Sequence, residues 1–430
     1  MTVIVGAACQ PLQPADFPAA SNTAPAGSSP TRQPARTLNE STGMPAGLPA
    51  IGAGADAPLR DGPLVALLVP LSGRQEALGA AVRDGFVAAL LEAPASRRFN
   101  AMIIDEARVS AADAHRQALA AGARALVGPL LKESVLALAP LAGELAATMP
   151  GQMPVLALNK LADTDPVGGS LWQFGLAPED EARQIAARAA ALGQRRAIVL
   201  LPASEWGQRL LEAFTAEFTL LGGVVVDTRT YLPGTTDYTV PIRSLLMTTD
   251  PRPVAPGSEA NPDERTAFGP GRRQDVDLIF VAASSSNGRQ IVPQLKFFGA
   301  ADLPTYSTSA IWEDGATDAD DLNGVIFPDS PWVIDPDSRA LAIKNGLVRH
   351  WGRTALGVSR LYALGYDAGQ LLPEILRQSA PGPFSSGELP GTTGILYADT
   401  DGRIHRRLPF AEIRGGRAVP LPPLATMGGL

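Results

Sequence analysis

Short runs of consecutive apolar residues, each followed by a helical pattern, constrain this chain more than any other feature. Leu64–Val69 (LVALLV) and Ala197–Leu201 (AIVLL) contain no polar residue, and they end at Pro70 and Pro202. Such runs are typical of strands that are buried on both faces of a parallel sheet. Because parallel neighbours are joined by crossovers, usually helical, strands and helices are expected to alternate. The pattern therefore predicts an α/β fold with mostly parallel sheets.

Two series of alternating segments follow one another along the chain. The predicted strands are 64–69, 101–104, 125–127 and 155–158 in the first series, 197–201, 224–227 and 276–282 in the second, and 395–397 in a terminal hairpin. The predicted helices are 75–92, 110–121, 133–147, 178–193, 205–221, one around 242–246, and 362–378. Two series predict two lobes, each a doubly wound sheet flanked by helices, with a cleft between their facing strand ends.

The predicted lobe boundaries assume that the chain crosses between the lobes more than once. We expect lobe I to contain 63–175 and 307–385, and lobe II to contain 176–306 and 386–425. A Pro-, Gly- and charge-rich stretch at 249–274 interrupts lobe II and predicts a flexible surface insertion. The alternative for this insertion is a partner-binding loop.

Composition excludes several classes of protein. The chain has 36 Lys+Arg against 43 Asp+Glu, a net charge of −7, and no basic run, which is unsuited to binding nucleic acid. One cysteine allows no internal disulfide, and three separated histidines give no metal-ligand spacing. No apolar run reaches the roughly 20 residues of a membrane-spanning helix. No cofactor or metal is therefore expected.

The first residues resemble the end of a bacterial lipoprotein signal. Residues 1–9 read MTVIVGAAC, and the small residues before Cys9 are similar to a lipobox, although Gly6 stands where Leu is usual and no charged segment precedes the apolar one. The interpretation is a partial signal peptide with lipidation at Cys9 and a true start codon further upstream. The alternative is an incidental cysteine. Residues 10–62 are rich in Pro, Ala and Gly and predict a disordered tether.

Short polar residues and glycines follow several predicted strands. Because ligands of open α/β sheets bind outside the carboxyl ends of the strands, these residues are candidates for a ligand cleft. The alternative is that they are the turn and cap residues that every such junction needs. The candidates are Ser72, Gly73, Gly128, Asn159, Ser204, Ser284, Ser285, Ser307 and Thr308. No nucleophile elbow, phosphate loop or Ser-x-x-Lys motif is present, which favours a protein without catalytic residues.

Several segments resemble a known superfamily. Val65–Gly73 (VALLVPLSG), Leu126–Ser134 (LVGPLLKES), Pro154–Asn159 (PVLALN) and Thr393–Gly402 (TGILYADTDG) resemble type I periplasmic binding proteins of the branched-chain amino acid class. The resemblance covers about 63–421 and implies a two-lobed binding-protein fold.

Three further segments resemble one branch of that superfamily. Trp172–Gly175 (WQFG), Leu200–Gly207 (LLPASEWG) and Leu322–Trp332 (LNGVIFPDSPW) are similar to the LppC-type penicillin-binding protein activators. The resemblance implies an outer-membrane lipoprotein that reaches through the periplasm and stimulates a bifunctional peptidoglycan synthase. Some members carry an N-terminal helical-repeat domain, where this sequence has the predicted tether.

Two main functions remain open. The first is a lipid-anchored, non-enzymatic activator of a class A penicillin-binding protein, with Asp329 and an exposed Trp332 as candidates for the partner surface. The second is an amino-acid receptor for an ABC transporter, with a small polar ligand in the cleft. An amino-acid receptor needs an acceptor for the ligand's ammonium, and the sequence offers only Asp105 and Glu205, which favours the activator. An enzyme with an unrecognised site is a weaker third option, and for Trp332 the alternative is packing between the lobes.

Overall fold

The structure is a computed structural model and describes residues 62–94, 98–148, 153–161, 171–247, 272–351, 353–378 and 380–424. The predicted leader with Cys9, the predicted tether up to residue 61 and most of the predicted insertion lie outside the described residues. Within them, no helix combines the length and the apolar character that crossing a membrane requires.

Fifteen strands form in the described part of the chain, and every strand predicted from the sequence starts within two residues of its predicted position. In chain order they are β1 (Leu64–Val69), β2 (Asn100–Asp105), β3 (Leu126–Val127), β4 (Val155–Ala157), β5 (Leu171–Phe174), β6 (Arg196–Pro202), β7 (Val224–Tyr231), β8 (Leu278–Val281), β9 (Thr305–Tyr306), β10 (Val325–Pro328), β11 (Leu389–Pro390), β12 (Ile395–Ala398), β13 (Arg403–Arg407), β14 (Phe410–Arg414) and β15 (Arg417–Pro420).

Ten α-helices accompany these strands in the same described ranges. They are α1 (Glu76–Glu92), α2 (Ala111–Ala120), α3 (Lys132–Thr148), α4 (Pro178–Ala191), α5 (Glu205–Leu220), α6 (Thr239–Leu246), α7 (Ser285–Leu295), α8 (Pro331–Ile334), α9 (Ser338–Trp351) and α10 (Ser359–Ile375). Ser110 is the N-cap of α2, because its hydroxyl accepts a hydrogen bond from the Asp113 amide at 3.1 Å.

The strands form two sheets, and this confirms the predicted doubly wound fold. The first sheet has the order β2-β1-β3-β4-β5-β13-β12-β11, and the second has the order β7-β6-β8-β9-β10-β14-β15. Pairing is parallel throughout each sheet except at β11–β12 and β12–β13 in the first and at β10–β14 and β14–β15 in the second. In the first sheet β1 lies between β2 and β3, and in the second sheet β6 lies between β7 and β8. The strand order therefore reverses at β1 and at β6, which creates a topological switch point in each sheet.

The central strand β1 shows why its sequence lacks alternation. Val65, Leu67 and Val69 pack on one face of the first sheet with Phe86 of α1, whereas Ala66 and Leu68 pack on the other face with residues of α2 and α3. Both faces are buried, so every position must be apolar.

The predicted lobe boundaries are wrong in two places. Residues 307–328 were assigned to lobe I, but β10 pairs with β9 in the second sheet. Residues 386–407 were assigned to lobe II, but β12 and β13 form their hairpin in the first sheet, where β13 pairs with β5. The error arises because sheet membership depends on pairing between strands that are distant in sequence.

The chain passes between the two sheets three times. The first crossing, 175–177, joins β5 to α4, and the third, 408–409, joins β13 to β14. The second crossing starts at Asp329 after β10 and returns to the first sheet through α10, which packs on α1. The segments that enter and leave these crossings surround the candidate site.

Candidate functional site: a cavity between the two sheets

A cavity of about 280 Å³ lies where the three crossings meet. Its walls come from both lobes, and it includes the start of α4, the start of α5 and the loop after β9. The lining residues are Leu176, Pro178, Glu181, Trp206, Ser309, Ala310, Asp329, Ser330, Arg360, Thr393 and Arg406. Four of them are charged, so the site combines an apolar wall with a small set of buried ions, as ligand pockets commonly do.

The first pair of charges is an ion pair between Arg360 of α10 and Asp329 at the second crossing. Arg360 Nε donates to the two Asp329 carboxylate oxygens at 3.0 and 3.1 Å, and its Nη2 donates to one of them at 2.5 Å. The same Nη2 donates to the carbonyl oxygen of Trp312 at 3.0 Å. Asp329 also accepts from the Ser330 amide at 2.7 Å. Both oxygens of the Asp329 carboxylate are therefore engaged.

The second pair of charges is looser. Glu181 of α4 is 4% exposed, and its two carboxylate oxygens accept from the amide and the hydroxyl of Ser309 at 2.8 and 2.9 Å. Arg406 of β13 approaches Glu181 only to 3.8 Å. Burial raises the pKa of Glu181 to about 7, because the nearby Arg406 opposes the effect only in part and Asp329 adds to it.

Asp180, in the acidic first turn of α4, forms ion pairs beside the cavity. In the structure Asp180 is buried and accepts from Lys160 Nζ at 2.6 Å and from Arg183 at 2.9 Å. Although burial alone would raise it, the attraction of Lys160 and His405 holds the pKa of Asp180 well below its usual range. Asp180 therefore fixes α4 beside the cavity.

The predicted cleft residues of the first lobe have local roles. Ser72 Oγ donates to Asp105 Oδ2 at 2.6 Å, and Gly73 takes a φ of 76° in the turn before α1. Gly128 has a φ of 96°, and a Cβ there would lie 2.0 Å from the Leu68 carbonyl oxygen, so close packing requires this glycine. Asn159 donates to the Leu130 carbonyl oxygen at 3.0 Å.

The predicted cleft residues of the second lobe are caps or buried groups. Ser204 and Ser284 are the N-caps of α5 and α7, and Ser285 is the buried first residue of α7. Ser307 donates to the Val281 carbonyl oxygen at 2.7 Å, and Thr308 is completely buried. None of the nine predicted cleft residues lines the cavity, whose serines are Ser309 and Ser330. The cap-and-turn alternative describes most of the nine better.

The two residues considered as ammonium acceptors do not line the cavity. Asp105 accepts from Ser72 and from the Leu71 and Ala107 amides. Glu205 is the exposed first residue of α5.

The predicted partner-surface residues are buried, so that prediction is wrong. Trp332 is 2% exposed and stacks on Tyr362 with ring centroids 5.5 Å apart. Lys344 Nζ donates to the Trp332 carbonyl oxygen at 2.9 Å and to Asp314 at 2.7 Å. Asp329 is also 2% exposed and belongs to the cavity. The Asp-Ser-Pro-Trp stretch therefore holds the second crossing in place.

Sequence reasoning missed the three other charges of the cavity, Glu181, Arg360 and Arg406. They lie on α4, α10 and β13, far apart in sequence, and no spacing rule joins them. The available signal was Glu181 in the first turn of a helix that directly follows a predicted crossing. The cavity lining contains no histidine or cysteine, and the described residues contain no cluster of three His, Cys, Asp or Glu that could hold a metal.

Comparison with known families gives a match over most of the chain. The family described as "LppC putative lipoprotein" matches residues 60–416. The Penicillin-binding protein activator LpoA of Haemophilus influenzae is 30% identical over 366 residues, which cover 83% of this chain and 55% of the relative. The protein of the same name from Vibrio antiquarius is 28% identical and covers 81% of this chain and 56% of the relative. The chain thus spans about half the length of the curated relatives it matches.

Solved structures agree with this match. The LpoA (YraM) C-domain from Haemophilus influenzae, described as a regulator of PBP1A, superposes with a TM-score of 0.62 at 27% identity and covers 83% of this chain and 99% of that chain. The structure of a "putative branched-chain amino acid ABC transporter" from Rhodospirillum rubrum gives a TM-score of 0.62 at 19% identity and covers 84% of this chain and 100% of that chain. The second likeness concerns the fold alone, and it confirms the expected two-lobed binding-protein architecture.

Proposed function

This chain belongs to the LppC lipoprotein family, and from that premise we propose that it is a non-enzymatic periplasmic lipoprotein that binds and activates a class A penicillin-binding protein, thereby regulating peptidoglycan synthesis. The observation that carries the proposal is the match to relatives named penicillin-binding protein activators, together with coverage of nearly the whole of a solved C-domain described as a regulator of PBP1A.

An activator needs a surface for its synthase, and one end of the second lobe offers it. The helices α4 to α7 end at the edge of the sheet where β6, β7, β8 and β9 begin, because each helix returns the chain to the start of the next parallel strand. Large apolar side chains are exposed at this end. We call this set the basal surface; it consists of Leu192, Leu220, Leu221, Val224, Met247 and Phe297.

Hydrogen bonds to backbone carbonyl oxygens join the segments that carry the basal surface. The Val224 amide donates to the Arg195 carbonyl oxygen at 2.7 Å, and the Arg273 amide donates to the Leu246 carbonyl oxygen at 2.9 Å. Arg272 Nε donates to the Gly299 carbonyl oxygen at 2.8 Å. The exposed side chains therefore stand on connected backbone at the same end of the lobe.

The basal surface has the composition of a protein interface. Leu220 and Phe297 are 80% and 77% exposed, an unfavourable state for such large apolar groups unless a partner covers them. Charged residues of the same segments pair with one another: Arg196 and Arg273 with Asp275, and Arg272 with Asp302.

A reconstituted cross-linking assay with a class A synthase of the same organism tests the proposal. We expect the wild-type chain to increase the cross-linked product. The double variant Leu220→Ser/Phe297→Ser is expected to need at least about tenfold more protein for the same effect, since burying either side chain contributes roughly 1.5–3 kcal/mol. Leu119→Ser is the matched control, because Leu119 is also exposed (47%) but lies on α2 of the first lobe.

The possible outcomes test the proposed function and the proposed role of the basal surface separately. If the wild-type chain stimulates no class A synthase, the proposed function is wrong. If the double variant stimulates as well as the wild type, the synthase binds elsewhere and only the basal surface is contradicted.

Cys9 carries the proposed membrane anchor. We propose lipidation of Cys9 and retention in the outer membrane, supported by the lipoprotein description of the family and by Gln10, since the residue after the cysteine is not Asp. Cys9→Ser in the full-length precursor is expected to move the protein out of the detergent phase or to block its processing. Unchanged membrane fractionation of the variant would show that the anchor lies elsewhere.

The alternative, an amino-acid receptor of an ABC transporter, has less support. The transporter-like structures match at 24% and 19% identity, which supports the fold alone. Both carboxylates of the cavity, Glu181 and Asp329, are already engaged by Ser309 and Arg360. A ligand ammonium would therefore have to compete with existing partners.

A further inference from the structure

A groove of about 610 Å³ lies between α4 of the second lobe and the hairpin of β12 and β13 in the first lobe. We call it the hairpin groove. Its lining residues are Asp180, Arg183, Gln184, Ala187, Glu217, Tyr397, Asp399, Asp401, Arg403, His405 and Arg406. The volume corresponds to roughly 20 water molecules at about 30 Å³ each, which is room for about two linked pyranose rings.

Accessible aromatic rings form one wall of the hairpin groove. Tyr397 of β12 is 39% exposed and lies opposite His405 of β13 in the hairpin. The two rings stack with their centroids 5.3 Å apart and with 23° between their planes. The side chain of His405 is 25% exposed, so solvent reaches both members of the pair. The pair therefore offers a ligand in the groove a flat apolar surface.

The charges around the hairpin groove largely neutralise one another. Four acids and three arginines line it, and Lys160, which lies outside the lining, donates to Asp180 at 2.6 Å. Asp180 also accepts from Arg183 at 2.9 Å, and Nε2 of His405 lies 3.0 Å from a carboxylate oxygen of Asp399. The groove therefore has little net charge with which to select an ion.

Two carboxylates of the lining remain available to a ligand. Asp401 lies in the turn of the hairpin and is exposed, whereas Glu217 lies on α5 and is half-buried. Within the part of the chain that the structure describes, neither carboxylate accepts a hydrogen bond or forms an ion pair. Carboxylate oxygens accept hydrogen bonds from hydroxyl groups. The groove thus combines an aromatic surface and free acceptors with little net charge.

We propose that the hairpin groove binds a short stretch of a glycan chain, with one pyranose ring stacked on Tyr397. A pyranose ring presents C–H groups on one face, which pack on an aromatic ring, and hydroxyl groups at its rim, which donate to carboxylate oxygens. The ring is uncharged, so it suits a groove whose own charges are balanced. This ligand goes beyond the proposed function, which concerns a protein partner.

Calorimetric titration of the wild-type chain with three soluble probes tests the class of ligand. The probes are cellotriose, chitotriose, whose rings carry N-acetyl groups, and spermidine, a polyamine that the carboxylates alone would attract. We expect at least one trisaccharide to bind and spermidine to bind at least about tenfold more weakly, because exposed ion pairs contribute little.

The two trisaccharides distinguish a chain of plain rings from a chain of N-acetylated rings. No binding of either trisaccharide, or binding of spermidine as tight as that of the better trisaccharide, would overturn the proposal. No synthase is present in the titration, so the result does not depend on the proposed function.

Variants of the hairpin locate the stacking contact. Tyr397→Ala is expected to weaken binding of the better trisaccharide at least about tenfold, because it removes the ring on which the sugar packs. Tyr397→Phe keeps the ring and is expected to retain most of the binding. Ile395→Ala is the matched control, since Ile395 is also 39% exposed on the same face of β12 but does not line the groove. Equal losses in Tyr397→Ala and Ile395→Ala, or unchanged binding in Tyr397→Ala, would contradict the assignment.

A second pair of variants tests the wall that the second lobe contributes. Glu217→Ala is expected to weaken binding about fivefold, because it removes a hydrogen-bond acceptor for a sugar hydroxyl. Glu212→Ala is the matched control, since Glu212 is exposed on the same helix, accepts from Gln208 at 2.9 Å and does not line the groove. A loss in Glu212→Ala as large as that in Glu217→Ala would show that the sugar does not contact this wall.

Discussion

Glu181 shows how a single buried carboxyl group makes the stability of this chain depend on pH. Burial raises its pKa from 4.5 to about 7, and the negative charge of Asp329 adds to this rise. The attraction of Arg406 and the hydrogen bonds from Ser309 lower the pKa only in part. Between these two values the unfolded chain has lost the proton and the folded chain retains it. The free energy of unfolding therefore falls as the pH rises through this window, by up to about 3 kcal/mol from this group.

Glu181→Gln is expected to remove this dependence, since an amide has similar size and does not titrate in this range. Urea unfolding of the wild type and the variant at pH 5 and pH 8 measures it. The wild type is expected to lose more stability than the variant on going to pH 8, by about 3 kcal/mol at most. A difference between the two proteins that stays constant with pH would show that Glu181 does not titrate in this window.

The buried charges of the cavity lay beyond sequence reasoning for a physical reason. Glu181, Arg360 and Arg406 look like surface residues, because most charged side chains are solvated. Their burial follows from three separate chain crossings that meet at one place. Trp332 illustrates the reverse error, since a tryptophan between Pro331 and Val333 was interpreted as an exposed anchor and instead packs on Tyr362.

At the scale of elements, the contact between α1 and α10 depends on glycine. A Cβ at Gly365 of α10 would lie 2.0 Å from the Val82 carbonyl oxygen of α1, and one at Gly85 of α1 would lie 1.9 Å from the Tyr362 carbonyl oxygen. The two helix backbones thus approach more closely than any side chain allows.

Gly365→Ala is expected to destabilise the protein by about 3 kcal/mol, because overpacking against backbone forces the helices apart. Gly346→Ala is the matched control. Gly346 is also helical, in α9, but a Cβ there meets nothing within 4 Å, so this change is expected to stabilise by about 0.5–1 kcal/mol. Chemical denaturation of both variants checks the pair, and equal effects at the two positions would contradict the packing argument.

Strands made of continuous apolar runs were predictable, and most of the others were not. The run at Leu64–Val69 gave β1 with correct bounds, because both of its faces are buried. The strands β5, β9, β10, β11, β14 and β15 were missed, because two to five residues carry too little periodicity to be recognised without their neighbours. All are formed by pairing with neighbouring strands.

At the scale of the whole molecule, the alternating series predicted two lobes, but the sequence could not assign the last third of the chain between them. The hairpin of β12 and β13 was recognised, yet its sheet was not. Hairpin formation is local, whereas docking of the hairpin on β5 joins residues more than two hundred positions apart. The crossings that result from this docking create the cavity.

The ion pair of Arg360 and Asp329 connects the parts of the molecule that these crossings separate. Arg360 belongs to α10, which packs on α1 of the first lobe, and it also donates to the carbonyl oxygen of Trp312 in the second lobe. Asp329→Asn would remove the counter-charge of a guanidinium whose side chain is only 23% exposed, and we expect a loss of about 3 kcal/mol in the free energy of unfolding. Glu388→Gln is the matched control, since it breaks an ion pair with Arg407 in which both side chains are about half exposed, and there we expect less than about 1 kcal/mol. Urea unfolding at neutral pH compares the two. If Asp329→Asn costs no more than Glu388→Gln, the pair does not hold the lobes together. The double variant Arg360→Met/Asp329→Leu removes both charges and is expected to recover most of the stability that Asp329→Asn loses. A double variant no more stable than Asp329→Asn would also contradict this role of the pair.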